Sequence, residues 1–216
     1  MTRLPNRGLY AITPNGISSS ESGLQRVRHV LQGGAALLQY RDELANHKTR
    51  RDFGASLAQL CRDHGVPLII NDDPVLALEL DAAGVHLGEH DTDPAQAAKL
   101  LGQNAIIGVS CYNDLQRALR AQRLGATYLA FGSLFASSTK PGARHCPADK
   151  LAAFRPACTV PVVAIGGITH QNGASVIAAG ADFLAVISHL FVSGQEFDRA
   201  RQLAALFNQQ DLNSDE

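Results

Sequence analysis

Two short acidic segments with the same layout contain the residues best suited to bind a cation. In each segment one Asp directly precedes a Pro, and Asp followed by Pro is a favourable helix start, which accounts for Asp73 and Asp93. Asp72 and Asp91 remain, each after a short apolar run. Two carboxylates at the ends of consecutive strands predict a shared Mg2+ site, because this ion is held by one or two carboxylates together with water and phosphate oxygens. Solvated loop acids are the alternative interpretation.

Other polar side chains end further apolar runs. Gln39 and Arg41 are two positions apart at the end of an expected strand, so they share one face. They serve either as ligand contacts or as a polar layer at the strand end. Ser110 ends a later run, and its hydroxyl either donates to a ligand or caps the helix expected from Asn113.

The longest expected loop, residues 132–147, carries a second basic side chain. Lys140 directly follows three hydroxyl side chains, Ser137, Ser138 and Thr139. Loops of this length without regular structure are often functional. An anion-binding lid is one interpretation, and a mobile surface loop is the other.

The elements that must position these residues are short and regular. Four segments consist of a Gly that ends a helical stretch and the apolar strand that follows it, at 33–40, 83–88, 124–131 and 179–186. Four further apolar strands lie between them, at 9–12, 68–70, 105–109 and 162–165. Helices are expected between the strands, at 20–32, 47–64, 74–81, 94–101, 113–124, 147–154, 171–178 and 190–207.

Near-continuous apolar strands that alternate with helices predict a parallel sheet covered on both faces. Eight such units favour an α/β fold of the (β/α)8 TIM barrel type, with one domain over residues 1–216 and a frayed polar tail at 208–216. An open doubly wound sheet is the alternative. In a barrel, functional residues lie at the carboxyl ends of the strands, and the loops after the seventh and eighth strands often bind phosphate. The pair Gly166-Gly167 falls at that place, and glycine permits close backbone approach.

Composition argues against several classes of protein. The formal net charge of −1 over 216 residues supplies no global basic field, so we expect neither a nucleic-acid partner nor a membrane partner. The four cysteines form no CxxC pair, which argues against a zinc site or a disulfide framework and favours a reduced, cytoplasmic setting. No signal-peptide pattern opens the chain, and no apolar run approaches the ~20 residues that span a bilayer.

The candidate residues together favour chemistry driven by a leaving group. Two carboxylates suit Mg2+, Arg41 and Lys140 suit anionic oxygens, and a separate glycine segment suits a phosphate. We expect no good nucleophile paired with a base. A pyrophosphate ester ionises easily in such a site, because cations stabilise the charge on the departing oxygen.

Six motifs resemble the thiamine-phosphate synthase family. They are Gln39-Tyr40-Arg41, Asn71-Asp72-Asp73, Gly84–Gly88 with Asp91, Gly108-Val109-Ser110, Ser137–Lys140 and Ile165–Ile168. The similarity extends from about Leu9 to Phe191. It implies a barrel enzyme, a transferase that joins hydroxymethylpyrimidine pyrophosphate to hydroxyethylthiazole phosphate with Mg2+ as cofactor. The products are thiamine phosphate and pyrophosphate.

The resemblance also implies roles for individual residues. Asp72 and Asp91 are expected to bind Mg2+. The pyrimidine pyrophosphate is expected to contact Gln39, Arg41, Asn71, Ser110 and Lys140. The thiazole phosphate is expected to contact Ser137, Thr139, Gly167, Ile187 and Ser188, and the same motifs place Tyr40 and Ser138 among the substrate-binding residues. Catalytic roles are expected for Arg41, Ser110 and Lys140, in a dissociative mechanism in which pyrophosphate leaves before the thiazole nitrogen attacks.

Glu43 departs from the family pattern, which usually has Lys there. Either Glu43 points away from the substrate, or Lys48 or Arg50 substitutes for the missing cation, or activity is reduced. We expect Glu43 at the rim of the barrel, outside the contact with substrate. A milder departure is Ser137 in place of the commoner Thr.

Two other functions remain open on the sequence. A thiazole tautomerase of the same barrel family would need the phosphate segment but not the acids, Arg41 or Lys140. A barrel that binds thiamine precursors without turnover is supported by Glu43 alone.

Overall fold

Eight parallel strands close into a barrel in the computed structural model, which describes residues 3–20, 22–135 and 144–211, with side chains up to residue 208. The strands are Gly8–Ile12 (β1), Ala35–Tyr40 (β2), Leu68–Asn71 (β3), Gly84–Leu87 (β4), Ile106–Tyr112 (β5), Tyr128–Gly132 (β6), Val162–Ile165 (β7) and Phe183–Val186 (β8). Each strand pairs with the next in parallel, and β1 also pairs with β8. The expected (β/α)8 barrel is therefore confirmed, and the open sheet is excluded.

The helices follow the strands in alternation. They are Gly23–Gln32 (α1), His47–His64 (α2), Pro74–Glu79 (α3), Pro94–Leu101 (α4), Leu115–Arg123 (α5), Ala148–Phe154 (α6), Gly173–Ala178 (α7) and Glu196–Asp211 (α8). Short 3-10 turns occur at Ile17–Ser19 and Arg155–Ala157. Two helices have the predicted bounds, and most others begin or end within two residues of them.

The last helix differs most from its expected range of 190–207. Leu190 and Phe191 are buried, but they precede Gly194, whose φ of 76° lies in the left-handed region and interrupts a helix. The helix therefore begins at Glu196 and continues to Asp211. The helical backbone covers residues 208–211 of the tail that was expected to be frayed, and the rest of that tail lies outside the described residues, so this expectation stays a prediction.

Alternate positions of the strands point to opposite sides of the barrel wall. One buried cluster fills the barrel: Tyr10, Ile12, Leu37, Ile69, Ile106, Tyr128, Ala130, Val163, Phe183 and Ala185. The larger cluster, which includes Leu38 and Tyr40, lies between the strands and the surrounding helices. This alternation decides which residues of each motif can reach a ligand in the barrel mouth.

Candidate active site

A cavity of about 340 Å³ opens at the carboxyl ends of the strands. Seven of the predicted site residues line it: Gln39, Arg41, Asn71, Asp72, Asp91, Ser110 and Ile187. They come from five different strands or the loops that follow them, so only closure of the barrel brings them together. The geometry matches the place where barrels bind their ligands.

Tyr40 is a correction to the predicted site. Its neighbours Gln39 and Arg41 line the cavity, whereas the Tyr40 ring lies on the other side of β2 with its centroid 5.7 Å from that of Phe53. The reason is the two-residue period of a strand, which sends consecutive side chains to opposite faces. Tyr40 therefore packs between barrel and helices, away from the cavity.

The remaining predicted residues fall into two groups. Gly167 and Ser188 are not among the cavity-lining residues. Each directly follows one in the chain, however: Gly167 follows Gly166, and Ser188 follows Ile187. Ser137, Ser138, Thr139 and Lys140 lie outside the described residues, so the predictions made for them stay predictions.

The acidic segments divide their carboxylates as the sequence predicted. Asp73 accepts from the backbone N–H of Leu76 at 2.9 Å and caps α3, and Asp93 caps α4 through the N–H of Ala95 at 2.9 Å. Asp72 and Asp91 line the cavity instead. The capping residues are thus structural, and the other two carboxylates face the site.

Local hydrogen bonds hold both carboxylates, and the backbone of Asp72 also has an uncommon conformation. Asp72 has a φ of 62°, which is uncommon for a residue with a side chain, and its Oδ2 accepts from Asn71 Nδ2 at 2.6 Å. Asp91 Oδ2 accepts from the N–H of Gly88 at 2.6 Å. Strained backbone of this kind recurs at ligand sites.

The donor set suits Mg2+ better than a metal held by protein alone. Within the described residues no group of three or more His, Cys, Asp or Glu side chains is placed to hold a metal ion. Mg2+ does not require such a cage, because it is usually bound through one or two carboxylates with phosphate and water oxygens in its remaining positions. Asp72 and Asp91, which face one cavity, fit that requirement.

Arg41 is held from several directions. Its backbone N–H donates to Thr13 Oγ1 at 2.8 Å, and its Nη2 is 2.6 Å from Glu43 Oε1. Asn15 Oδ1 lies 3.5 Å from Nη1. The Arg41 side chain is 9% exposed and the Glu43 side chain 49%. The cation therefore lies at the cavity wall with a carboxylate already beside it.

Glu43 is at the rim, as expected, but it also lines the cavity and contacts Arg41. Its expected place outside the contact with substrate stays a prediction. The turn that follows β2 explains its position: Asp42 accepts from the N–H groups of Gly16 and Ser18, at 2.9 and 3.2 Å, and anchors the turn. Burial raises the pKa of Asp42, but these hydrogen bonds outweigh it and hold that pKa below its ordinary value.

The two cations considered as substitutes for a missing Lys behave differently. Lys48 is exposed and pairs with Asp52 along α2, at 2.5 Å. Arg50 pairs with Asp73 at 3.5 Å and borders a neighbouring cavity of about 420 Å³, which shares Glu43, Asn71 and Asp72 with the main one. Arg50 is therefore the closer of the two to the candidate metal ligands.

A chain of hydrogen bonds crosses the barrel along the wall of the cavity. Gln39 Nε2 donates to Tyr10 Oη at 2.8 Å, and the hydroxyls of Tyr10 and Tyr128 are 2.7 Å apart. Nδ1 of His86 lies 2.9 Å from Tyr128 Oη, and Nε2 of the same ring lies 2.9 Å from Ser110 Oγ. The two ends of the chain, Gln39 and Ser110, are both predicted site residues.

This chain changes two expectations. Ser110 does not cap a helix, because α5 begins at Leu115 and is capped by Asp114, which accepts from Arg117 N–H at 3.1 Å. A serine next to a histidine nitrogen has the geometry of a nucleophile beside its base, so the expectation of no such pair depends on which of the two groups donates the hydrogen bond. The sequence pattern missed it because His86 and Ser110 are 24 residues apart and meet only when β4 pairs with β5.

Several lining residues were not predicted. Tyr10, His86, Tyr112 and Ser133 contribute to the wall of the cavity. The alternation of β1 offered a signal for Tyr10, which has the same parity as Ile12 at the strand end. Tyr112 gave none, because its φ of 55° reflects an irregularity in the pairing of β5 with β6.

The glycine pair after β7 has the conformation that only glycine adopts readily. Gly166 and Gly167 have φ values of 108° and 64°. A Cβ on Gly166 would lie 2.1 Å from Ser133 Oγ, and the carbonyl of Gly167 accepts from Asn172 Nδ2 at 3.0 Å. The loop is thereby held in one shape at the edge of the cavity.

Two histidines join the loops after β7 and β8. His170 Nδ1 lies 3.1 Å from His189 Nε2, and Arg199 Nη1 on α8 donates to His189 Nδ1 at 2.7 Å. Burial, followed by Arg199 and His170, lowers the pKa of His189 to about 4. His189 is therefore neutral near pH 7, and it links both loops to the outer helix.

Comparisons with known proteins agree with this geometry. The family model described as thiamine monophosphate synthase matches residues 9–190. A thiamine-phosphate synthase of Azoarcus sp. (strain BH72) is 50% identical over 201 residues, which covers 93% of this chain and 97% of that protein. One from Thioalkalivibrio sulfidiphilus (strain HL-EbGR7) is 47% identical over 201 residues, 93% of this chain and 95% of that protein.

A solved structure supports the same assignment. The thiamine phosphate pyrophosphorylase from Pyrococcus furiosus superposes with a TM-score of 0.85 at 33% identity, covering 94% of this chain and 96% of that one. None of the helices in the described parts of the chain is long and apolar enough to cross a bilayer. The motifs, the barrel and the matches over nearly the whole length lead to one conclusion: the chain belongs to the thiamine monophosphate synthase family.

Proposed function

We propose that the chain is a thiamine-phosphate synthase that couples hydroxymethylpyrimidine pyrophosphate with hydroxyethylthiazole phosphate, releasing pyrophosphate. The family assignment makes it a transferase of thiamine biosynthesis that acts on small molecules. The observation that carries the proposed substrates is the convergence of Asp72, Asp91 and Arg41 on one cavity with Gln39 and Ser110.

In the proposed reaction, each wall of the cavity has a separate task. Gln39 and Ser110 hold the pyrimidine ring, while Arg41 and Asn71 bind the pyrophosphate oxygens. Asp72 and Asp91 would hold Mg2+, which, when bound, would supply positive charge to the pyrophosphate and help it to leave. The loops that contain Gly167 and Ser188 hold the phosphate of the thiazole partner.

The order of bond changes that we propose is dissociative. The bond between the pyrimidinylmethyl carbon and the pyrophosphate oxygen breaks with both electrons on oxygen. The resulting pyrimidinylmethyl cation is then captured by the thiazole nitrogen, which forms the new carbon–nitrogen bond. Arg41 and Lys140 contribute by stabilising the charge on the departing oxygens, as fixed cations do in a site shielded from water.

Arg41 must exchange partners for this to happen. Its guanidinium is 2.6 Å from the Glu43 carboxylate, so pyrophosphate binding has to displace or share that contact. The same observation favours one second candidate function, a barrel that binds thiamine precursors without turnover. The tautomerase interpretation has no comparable support, because it leaves Asp72, Asp91 and Arg41 without a task.

One coupling assay separates the candidates. Purified protein is incubated with both substrates, with Mg2+ and with excess chelator, and thiamine phosphate and pyrophosphate are measured. The proposal expects equal amounts of both products and their loss with chelator. Binding of both precursors without product would favour the non-catalytic barrel, and product formation that is unaffected by chelator would overturn the role of Mg2+.

A further inference from the structure

In the neutral state of His86, the hydrogen bonds along the cavity wall can run in only two directions. Each hydroxyl carries one proton, and a neutral imidazole has one N–H and one acceptor nitrogen. If Ser110 donates to His86, the ring must donate to Tyr128, and Ser110 resembles a nucleophile beside its base. If the order is reversed, Ser110 accepts from His86 and its own proton is left for a ligand.

Gln39 decides between the two directions. Its carboxamide nitrogen, which is only a donor, faces Tyr10 Oη at 2.8 Å. Tyr10 therefore accepts from Gln39, and its own proton goes to Tyr128, 2.7 Å away. Tyr128 in turn donates to Nδ1 of His86 at 2.9 Å, so the proton of the imidazole lies on Nε2.

The surroundings keep this chain intact. Tyr10 and Tyr128 are 1% and 0% exposed, and their rings meet edge to face with centroids 5.7 Å apart. Gly108 leaves the space for Tyr128, because a Cβ there would lie 2.0 Å from the ring. Burial raises the pKa of both tyrosines above its ordinary value, so their hydroxyls keep the protons that the chain needs.

We propose that Tyr10, Tyr128 and His86 are positioning residues that hold Ser110 as a hydrogen-bond donor toward the cavity and deny it the role of nucleophile. His86 Nε2–H occupies one lone pair of the Ser110 hydroxyl and fixes its orientation. Gln39, with its nitrogen bound to Tyr10, offers its carboxamide oxygen as an acceptor. Gln39 and Ser110 therefore select a ring that donates an N–H to the Gln39 oxygen and accepts a hydrogen bond from the Ser110 hydroxyl, as an aminopyrimidine does.

The inference about the substrate rests on the proposed function, but the direction of the hydrogen bonds from Gln39 to Ser110 does not. The tautomer of His86 is measured by NMR of the full chain labelled with 15N at histidine, with His86→Gln used to assign the signal. We expect the wild-type protein to carry the proton on Nε2 of His86. A proton on Nδ1 would overturn the proposal, whatever the activity.

Tyr128→Phe tests the cause of the tautomer. It removes the hydroxyl that donates to His86 Nδ1 and keeps the ring, so we expect the Nδ1–H form to gain population. Tyr40→Phe is the matched control for the NMR signal, because it removes a tyrosine hydroxyl from the other side of the barrel wall. An unchanged tautomer of His86 in folded Tyr128→Phe would overturn the proposed hydrogen-bond chain. If that variant does not fold, the tautomer of the wild-type protein decides whether the proposal holds.

Kinetics then test the consequence for the substrate. In Tyr128→Phe we expect the KM for the pyrimidine pyrophosphate to rise about tenfold, which is about 1.4 kcal/mol, and the KM for the thiazole phosphate to stay unchanged. Equal losses for both substrates would overturn the positioning role. If the wild-type protein shows the Nε2–H tautomer but no coupling, the proposed function fails and the hydrogen-bond chain stands.

Discussion

At the scale of single residues, two side chains that are close in sequence have different roles: one stabilises the fold and the other faces the cavity. Asp73 and Asp93 are used as helix caps, whereas Asp72 and Asp91 face the cavity. The same division separates Gln39 and Arg41 from Tyr40, one position between them. Neighbouring residues of one type therefore make matched pairs for experiments.

The acid pairs give the first prediction. Asp72→Asn and Asp91→Asn keep an oxygen acceptor but remove the charge, so we expect coupling to fall by about 10²-fold with little change in the free energy of unfolding. Asp73→Ala and Asp93→Ala lose a cap, and we expect each to cost about 1 kcal/mol of stability. Urea unfolding and turnover at varied Mg2+ are the measurements. Full activity of Asp72→Asn at low Mg2+ would count against the metal role.

Glu43 is the second case at this scale. Because it competes for Arg41, we expect Glu43→Lys to lower the KM for the pyrimidine pyrophosphate by a few-fold, within the ~1 kcal/mol of a half-exposed ion pair. Salt should reduce the effect, since exposed charges are screened. Glu79→Lys on α3 is the control. A KM that falls ~100-fold, about 2.7 kcal/mol, would contradict this expectation and show that Glu43 weakens substrate binding far more than a half-exposed ion pair does.

Lys140 yields a third prediction, which rests on the family motif because this residue lies outside the described part of the chain. Its charge is expected to meet negative charge that grows as pyrophosphate leaves, so it matters most in the transition state. Lys140→Ala should slow the single-turnover rate ~10²–10³-fold. An unchanged chemical rate, with only weaker binding of the thiazole phosphate, would refute this role.

At the scale of elements, the loops after β7 and β8 are joined by side chains rather than by strand pairing. His189 contacts His170 from one loop and Arg199 from α8, and an arginine donates without accepting. His189 Nδ1 must therefore be the acceptor, which agrees with its lowered pKa. The contact couples the loops after β7 and β8 to the outer helix.

This contact predicts a pH dependence of stability. In the unfolded chain His189 takes up a proton near its ordinary pKa of 6.5. In the folded chain its pKa is about 4, so the imidazole stays neutral until the pH is that low. The unfolded state thus binds more protons in that window, and the free energy of unfolding falls as the pH is lowered from about 6.5 to about 4. His189→Gln should flatten this part of the curve, and His47→Gln, at an exposed position in α2, should not. An unchanged slope in His189→Gln would contradict the assignment.

At the scale of the whole molecule, barrel closure makes the core one unit. β1 pairs with both β2 and β8, so no strand can leave without breaking two ladders. All four cysteines are buried, and burial raises the pKa of the Cys61 and Cys111 thiols to about 12. These thiols are therefore unreactive while the barrel is closed.

The cysteines report on the cooperativity of unfolding. Cys61 lies in α2 and Cys111 in β5, on different parts of the ring. We expect both to become reactive toward iodoacetamide in one transition as urea is raised, because a single core unfolds as a unit. Mass spectrometry of quenched samples measures the labelling of each thiol. Labelling of Cys61 at clearly lower urea would show that the outer helices separate before the barrel opens.

The sequence by itself determined the local and periodic features of this protein. Eight apolar runs, four of them preceded by a Gly, predicted the eight strands, and Asp before Pro predicted the starts of α3 and α4, because capping and burial act over a few residues. Motif order then identified the acids and Arg41 as site residues. The start of α8 was missed, since it depends on the conformation of Gly194 and on what buries Phe191.

Only the tertiary structure decided the relations between distant residues. The ion pair of Glu43 with Arg41 follows from a turn anchored by Asp42, and the contact of Ser110 with His86 follows from strand register. The direction of the hydrogen bonds from Gln39 to Ser110 depends on five side chains from five strands. Such geometry has no sequence period, because it arises where a closed barrel brings alternate residues of different strands into one interior.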